Sequence, residues 1–589
     1  MSERPGFLGV ERSITGRRWV GPSIDDDRRA EQLAQDTSLP PALCRVLARQ
    51  NVSPAEADAY LAPTIRDLLP DPRQLRDIEV AAARLLTAAT GKERIAIFAD
   101  YDVDGGSSAA LLIDWLRGHG HGATLYVPDR IDEGYGPNVP AIETLARDHD
   151  LIVCVDCGTL SHEALAAAAG TDVIVLDHHL GGETLPPALA VVNPNRQDET
   201  GELGHLCAAA VVFLTLVEAH RQAREAGQTQ PNLMGLLDLV GLATVADVAP
   251  LTGVNRAFVR QGLTVMARRE RPGLAALSDV AGLDTEPRAY HLGYLLGPRI
   301  NAGGRIGQAD LGARLLSTSD PHEAAALAER LNALNAERRE IEAVVRDAAL
   351  EQATERGADG PLAWAAGEGW HPGVVGIVAS RLKEATHRPA IVIGFDGDEG
   401  KGSGRSVSGI DLGAVIQKVA AEGLLIKGGG HRMAAGLTVA RGQLDPAMAR
   451  IGELLDKQGA GALGPSDLKI DAVTMPRAAT VDLVNQIEQA GPFGASAPAP
   501  RFAFADARIL STRVVGAGHL KVSFGDGEGS RLDAIAFGAM ESDLGPFLEA
   551  RRGRTAHLAG RIEINHWQGR QTVQLRLEDA ANPDDSGGI

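Results

Sequence analysis

The feature that most constrains this chain is an apolar run that stops abruptly in acid. Residues Ile95 to Ala99 read as a short buried strand. Asp100-Tyr101-Asp102-Val103-Asp104-Gly105-Gly106 follows, then Ser107, Ser108 and a mostly apolar run from Ala109 to Leu116. The order is strand, acidic turn, helix. Three carboxylates crowd the strand end, where open α/β sheets hold their ligands. Carboxylates this close repel one another unless a proton or a cation intervenes. A hard divalent ion such as Mg or Mn is the simple remedy. An acidic surface turn or a calcium loop are the competing readings. The calcium loop needs a glutamate at its twelfth position, and counting from Asp100 that position is Leu111.

Three further segments carry the same signature. Leu151 to Val155 runs into Asp156, Val173 to Leu176 into Asp177-His178-His179, and Gly241 to Ala246 into Asp247. Read as four strand ends of one parallel sheet, they lie side by side at one edge. Asp102, Asp104, Asp156, His178 and Asp247 can then converge on one or two metal ions. Paired ions suit in-line attack at phosphorus, one activating water and the other neutralising the leaving oxygen. Asp156, from the middle of the set, is the candidate bridging ligand.

The rest of the chain predicts an α/β protein of several domains. Its 589 residues exceed one core, and 44% apolar with 23% charged residues is an ordinary globular balance. A net charge of -19 argues against a histone-like or non-specific duplex binder but leaves room for a local basic groove. Four cysteines include the pair Cys154 and Cys157, with no second pair to complete a zinc site. They read as structural thiols in a reducing compartment. No signal peptide or membrane span is visible, which points to a cytoplasmic protein.

Residues 1–76 read as an N-terminal helical segment whose first 38 residues form a loosely held arm. Residues 77–319 form the parallel-sheet domain, with strands expected at 95–99, 123–127, 151–155, 173–176 and 190–192. From Asp320-Pro321 the apolar spacing predicts a connecting helix over 320–356, roughly 50 Å long. Residues 357–463 form a smaller α/β domain with strands at 362–366, 390–394 and 434–439. Residues 464–581 carry short strands and turns that fit an OB-like β-barrel, with basic residues such as Arg501, Arg513 and Arg576 for a nucleic-acid groove. Residues 582–589 read as a disordered tail.

The combination DYDVDG, VDCG, DHH and ATVADVAP resembles the DHH phosphoesterase superfamily. Gly428 to Gly436 resembles the glycine-rich signature of its associated DHHA1-type domain. The run Gly297-Pro298-Arg299-Ile300-Asn301-Ala302-Gly303-Gly304-Arg305 is similar to a motif of the RecJ branch. So are Val127 to Arg130 with Gly134-Tyr135-Gly136, and Trp370-His371-Pro372-Gly373 onward. The resemblance spans about residues 39 to 580. It implies a 5′→3′ exonuclease that hydrolyses single-stranded DNA with Mn2+ or Mg2+, in repair and recombination. A single-strand-binding protein and a helicase are implied partners of a monomeric enzyme.

Carried over residue by residue, the resemblance makes Asp102, Asp104, Asp156, His178 and Asp247 metal ligands. Asp100 supports them, Asp177 orients the neighbouring histidine and His179 faces the scissile phosphate. Arg299, Asn301, Arg305 and His371 bind phosphate or DNA. Arg130, Ser403 and Arg405 receive a 5′ phosphate, and Tyr135 stacks on a nearby base. Gly429, Gly430 and His431 contact the backbone from the second domain. A gap between two domains joined by a long helix can be too narrow for a duplex, a physical route to single-strand selectivity.

One position departs from the pattern. Many superfamily members carry a histidine four residues before the middle aspartate of the first motif, and here that residue is Phe98. A phenyl ring cannot bind a metal, so one ion would have fewer protein ligands. Two other functions compete: a DHH phosphodiesterase for short oligonucleotides or cyclic dinucleotides, and an inactive DNA-binding scaffold.

Overall fold

Ile95–Ala99 (β1), Thr124–Tyr126 (β2), Leu151–Val155 (β3), Asp172–Leu176 (β4) and Ala190–Val192 (β5) build a wholly parallel sheet in the order β2-β1-β3-β4-β5. The computed structural model describes residues 5–130, 133–357, 360–460, 467–516, 518–567 and 570–585. Both faces of the sheet are covered. Ile95, Ile97, Ala99, Val153 and Leu176 face one core, and Ala96, Phe98, Cys154 and Val175 the other. That double burial is why these strands read as continuous apolar runs rather than alternating ones. The chain leaves β1 for β2 and then returns past β1 to β3. The crevice at the carboxyl ends of β1 and β3 is therefore a topological switch point, the usual ligand position in such sheets.

Val103–Gly118 (α1), Ala208–Glu225 (α2), Leu237–Ala246 (α3) and Gly297–Ile306 (α4) cover this domain. The fourth expected strand end is corrected here: Gly241 to Ala246 belongs to α3, and Asp247 follows a helix. The segment is buried nearly all round, from Leu237 through Thr244. A short apolar run of that kind cannot be told from a strand by periodicity.

Pro321–Glu355 (α5) is a single helix of 35 residues. Asp320 caps it by accepting the His322 backbone N–H at 2.9 Å, with Pro321 in the first turn. Leu327, Leu331 and Leu334 in its first half join the parallel-sheet core. Val345, Ala349 and Ala353 in its second half join the core of the next domain. One rigid rod thus serves two hydrophobic cores.

That next domain contains Ala363–Glu368 (β6), Ala390–Asp396 (β7), Glu399–Arg405 (β8), Lys427–His431 (β9) and Ala434–Ala440 (β10), with Pro372–Thr386 (α6) packed against β7 and β8. The order is β9-β10-β8-β7-β6, antiparallel except for β6 and β7. Two of these strands, EGKGSGR and KGGGH, have no apolar pattern and were not expected. Glycine and charge disfavour strands locally, so their pairing partners impose the extended form. Thr64 to Leu463, with Gly494–Ser496, make one compact unit.

The second unit is made from the two ends of the chain. Phe502–Val515 (β11), His519–Gly525 (β12), Arg531–Ala536 (β13), Thr555–Trp567 (β14) and Arg570–Ala581 (β15) close into a barrel, because β11 pairs with both β12 and β14. The expected strands at 501–504 and 507–515 are one strand with an irregularity between Phe504 and Ala507. The loosely held arm is also corrected. Trp19 is fully buried, its indole N–H donates to Asp579 at 2.9 Å, and Trp19-Val20 pairs with Leu468-Lys469. Leu33, Leu43 and Leu47 share a core with Phe504 and Leu558 of the barrel. An isolated tryptophan in a polar stretch has no period to reveal this. Of the expected tail, Pro583–Asp585 form a 3-10 turn, and residues 586–589 lie outside the described residues.

Candidate active site

The switch point collects the acids. Asp102 is the N-cap of α1, and its Oδ1 accepts the backbone N–H groups of Asp104 and Gly105 at 2.9 and 3.1 Å. Gly105 is needed there: a Cβ on it would lie 2.4 Å from the Asp100 carbonyl oxygen. Asp104 accepts from the N–H groups of Ala208 and Ala209 at 2.7 and 2.8 Å, so the N-terminus of α2 holds it. Asp156 sits in the left-handed region at φ 59, a strained conformation of the kind found at functional sites. His178 Nε2 lies 3.3 Å from Asp156 Oδ1 and 3.7 Å from Asp104 Oδ2, while its Nδ1 lies 3.8 Å from Asp247 Oδ2.

These side chains form three overlapping sets whose ligand atoms lie within 4.8 Å of one another. They are Asp156 with His178 and His179, Asp104 with His178 and Asp247, and Asp100 with Asp102 and Asp156. At 4.8 Å, a pair of ionised carboxylates repels by about 3 to 4 kcal/mol at an effective dielectric of about 20. The electrostatics agree. Burial and then the neighbouring acids push Asp100, Asp156 and Asp247 upward, Asp247 to about 8. Burial foremost raises Asp104 as well. Among the described residues, the buried Oδ1 atoms of Asp100 and Asp156 accept no hydrogen bond. A group of oxygens with this surplus of unshared electron density suits a hard cation.

Asp177 behaves differently. It accepts the Thr159 N–H and hydroxyl at 3.1 and 2.7 Å and the backbone N–H groups of His178 and His179. Its Oδ1 also meets His179 Nδ1 at 2.8 Å. Burial opposes its ionisation, but these bonds hold it well below the usual carboxylate range. Burial likewise opposes the His179 imidazolium, yet Asp177 pushes that ring up to about 9. The histidine whose side chain Asp177 orients is therefore His179, while His178 meets it only through the backbone. The Tyr135 hydroxyl adds a contact to His179 Nδ1 at 3.1 Å and donates to the Asp156 carbonyl at 3.1 Å.

Phe98 is fully buried in the opposite core and stacks on Tyr126, with ring centroids 5.2 Å apart. Its ring is a packing element. Asp100, two residues on, brings a carboxylate oxygen into the cluster with Asp102 and Asp156.

A basic pocket adjoins the acids. Arg305 is pushed down to about 10 by burial and then by Arg130 and Arg338. Arg405 is lowered by burial and by Arg130. Arg405 Nη1 donates to Ser403 Oγ and to the Gly404 carbonyl, each at 2.8 Å. Gly376 of α6 leaves them room, since a Cβ there would stand 3.0 Å from Arg405 Nη2 and 3.1 Å from Ser403 Oγ. Arg305 donates to the Gly373 carbonyl at 3.2 Å, which brings α4 of the first domain to the start of α6 in the second. Arg130 lies over the Tyr101 ring, 5.3 Å from its centroid. Tyr101, which also packs on Gly304, is a supporting residue that the sequence reading missed, hidden inside the acidic motif.

Three expected phosphate or DNA contacts have structural duties. Asn301 Oδ1 accepts the Val103 N–H at 3.1 Å and so fixes the start of α1. His371 caps α6, its Nδ1 accepting the Gly373 N–H at 3.0 Å. Arg299 is bonded to Asn332 Oδ1 and the Leu295 carbonyl at 2.9 and 2.7 Å. Gly429, Gly430 and His431 lie in β9, paired to β10, with His431 exposed.

Comparison with known proteins gives a consistent answer. Three family models match: "DHH family, N-terminal domain" over residues 94–244, "DHHA1 domain" over 359–457 and "RecJ OB domain" over 470–579. The chain is 39% identical to the single-stranded-DNA-specific exonuclease RecJ of Dickeya dadantii over 566 residues, covering 92% of this chain and 96% of that one. The crystal structure of Thermus thermophilus RecJ with Mn2+ superposes with a TM-score of 0.79 at 28% identity, covering 96% of this chain and 80% of that one. The corresponding structure with Mg2+ gives a TM-score of 0.72 at 27% identity, covering 96% and 78%.

Proposed function

The chain belongs to the RecJ family of single-stranded-DNA-specific exonucleases, and from that premise we propose how its own residues carry out stepwise hydrolysis of single-stranded DNA from the 5′ end. The observation that carries the reading is the pairing of two like-charged clusters. Buried acids with unshared oxygens adjoin half-buried arginines that repel one another. A cation satisfies the first, and a phosphate the second.

The donor set fits Mn2+ or Mg2+: Asp102, Asp104, Asp156, His178 and Asp247 would hold one or two ions, with Asp100 offering the oxygen that Phe98 cannot. When bound, such ions lower the pKa of a coordinated water and neutralise charge on the scissile phosphate. In the chain itself, Arg305, Arg130, Arg405 and Ser403 bind the terminal 5′ phosphate and set the register. Hydrolysis forms a new bond from water oxygen to the next phosphorus and breaks the bond from that phosphorus to O3′ of the terminal nucleotide. His179, oriented by Asp177 through Nδ1, stands ready to give a proton to that departing oxygen. The shortened strand again begins with a 5′ phosphate, ready for the same pocket. Tyr135 holds His179 through its hydroxyl and stacks on the terminal base. His431 and its glycines contact the strand from the second domain.

A cytoplasmic, monomeric enzyme working with a single-strand-binding protein and a helicase fits this chemistry. Four buried cysteines outside any disulfide support the reducing compartment. The test is digestion of a long 5′-phosphorylated strand, its duplex and a 5′-phosphorylated dinucleotide with Mn2+. Degradation of the long strand is expected. Cleavage of the dinucleotide alone would favour the short-substrate phosphodiesterase. DNA binding with no cleavage, unchanged in Asp156→Ala, would favour the scaffold.

A further inference from the structure

Tyr290 and Tyr294 are two of the chain's six tyrosines. They stand 53% and 73% exposed. Their rings are stacked on each other, centroids 5.0 Å apart and planes 22° from parallel. Two apolar ring faces held together and outward have no use in a hydrophobic core. The backbone that holds them is also unusual. His291–Leu296 form a turn of π-helix that leads directly into α4, and such turns concentrate at functional sites. Leu292 and Leu296 are fully buried beneath it, and the Arg288 backbone N–H donates to His291 Nδ1 at 3.1 Å. The turn is thus anchored from below while the two rings project.

The location matters as much as the shape. A Cβ on Gly293 would lie 3.3 Å from Val245 Cγ1, and one on Gly297 would lie 3.6 Å from Ala246 Cβ. These are the last residues before Asp247. Val248, just after it, is 70% exposed and left-handed at φ 60, a strained position for a β-branched residue. The turn that carries the tyrosines therefore packs against the end of α3, whose next residue is Asp247. Arg305 lies at the other end of α4. Arg305 lies eleven positions beyond Tyr294, roughly 16 Å at helical rise, a span that a few nucleotides cover.

We propose that Tyr290 and Tyr294 form a base-stacking platform for the single strand on the 3′ side of the scissile bond. This rests on the nuclease reading of the site. The 5′ phosphate is held at the arginine end of α4, and the bases that follow the cleaved bond reach the tyrosine end. Every base has a π face, so stacking accepts any sequence, as an enzyme that removes nucleotides in succession requires. Bases of a duplex are already stacked and paired. The platform therefore favours unpaired strands and contributes to strand selectivity.

The experiment uses the full chain with Mn2+ and compares wild type with Tyr290→Ala/Tyr294→Ala and Tyr290→Phe/Tyr294→Phe. For a long 5′-phosphorylated oligonucleotide, the alanine pair should raise KM about tenfold with little change in kcat. Cleavage of a 5′-phosphorylated dinucleotide, too short to reach the platform, should stay near wild type. The phenylalanine pair should behave as wild type. Equal loss on the dinucleotide, an unchanged KM on the long strand, or failure of phenylalanine to substitute would overturn the platform. So would light scattering that shows wild-type dimers lost in the alanine pair, which would assign the patch to a second copy. Fluorescence of a strand with 2-aminopurine near its third to fifth position separates this claim from the nuclease reading. If wild type cleaves nothing, that reading falls. The platform then stands only if wild type quenches the probe and the alanine pair does not.

Discussion

Around Asp156, burial drives carboxyls toward the protonated form; around Arg305, burial drives a guanidinium toward the neutral one. The two regions share one crevice and have opposite charge, yet they follow one rule. Each gathers like charges in a crevice where water screens them less than at the surface, and each is uncomfortable without a ligand of the other sign. They differ in how the backbone supports them. The acids hang on strand ends and helix N-termini, where N–H groups offset negative charge. The arginines come from a loop, a helix and a β-strand in two domains, which α5 and the Arg305–Gly373 contact help to hold together. Contrast Asp177, which lies among the acids but is saturated with donors and stays ionised. Saturated bonding marks a support; unshared charge marks a site that awaits something.

The comparison can be broken most directly at Asp156. With Mn2+, Asp156→Ala should lower kcat by about a thousandfold or more on a long 5′-phosphorylated strand. In EDTA the same variant should melt at or above the wild-type temperature, because it removes a repelled buried acid. A lower melting temperature would show that the acids are structural. On the basic side, Arg405→Ala should reduce the preference for a 5′ phosphate over a 5′ hydroxyl by roughly ten- to a hundredfold, with metal binding intact. Equal loss on both ends would remove Arg405 from the phosphate pocket.

Smaller effects sharpen the boundary between the two regions. Asp100→Asn should weaken Mn2+ binding, measured by calorimetry, by about tenfold. No change would leave one ion with the reduced ligand set that Phe98 implies. The metal-free protein should also lose stability as pH rises through about 8, where Asp247 deprotonates. An acid whose folded pKa is raised stabilises the fold fully below its unfolded value, near 4, and loses that contribution as pH passes the folded value. Thermal melts in EDTA from pH 6 to pH 9 should fall accordingly, and Mn2+ should flatten the slope. A metal-free profile without slope would mean that Asp247 is open enough to be screened, consistent with its 29% side-chain exposure.

How much was legible before the fold varied with the kind of signal. Ile95–Ala99 and Leu151–Val155 have the expected limits because continuous apolar runs bounded by acids leave few alternatives. The long helix was readable from its cap and spacing. Segments whose form depends on distant partners were not. Gly241 to Ala246 reads as a strand end, and the glycine-rich β8 and β9 are not expected as strands. Trp19 gave no hint that it fastens the N-terminus to Asp579, because a residue 560 positions away supplies the reason.

By itself, the sequence determined the inventory of this protein: four acidic segment ends, an arginine-and-glycine helix, a second α/β domain and a barrel. Local chemistry is sufficient for that, since strand ends, caps and like-charge clusters are short-range features. Only the tertiary structure decided which atoms face one another. It turned Phe98 into the opposite core and Asp100 into the cluster, gave Asp177 to His179, and used Asn301 and His371 to pin helix starts. It also set two tyrosines outward on a turn that packs against the end of α3. Those choices depend on which buried polar groups find partners once the chain is packed, and no local pattern encodes that.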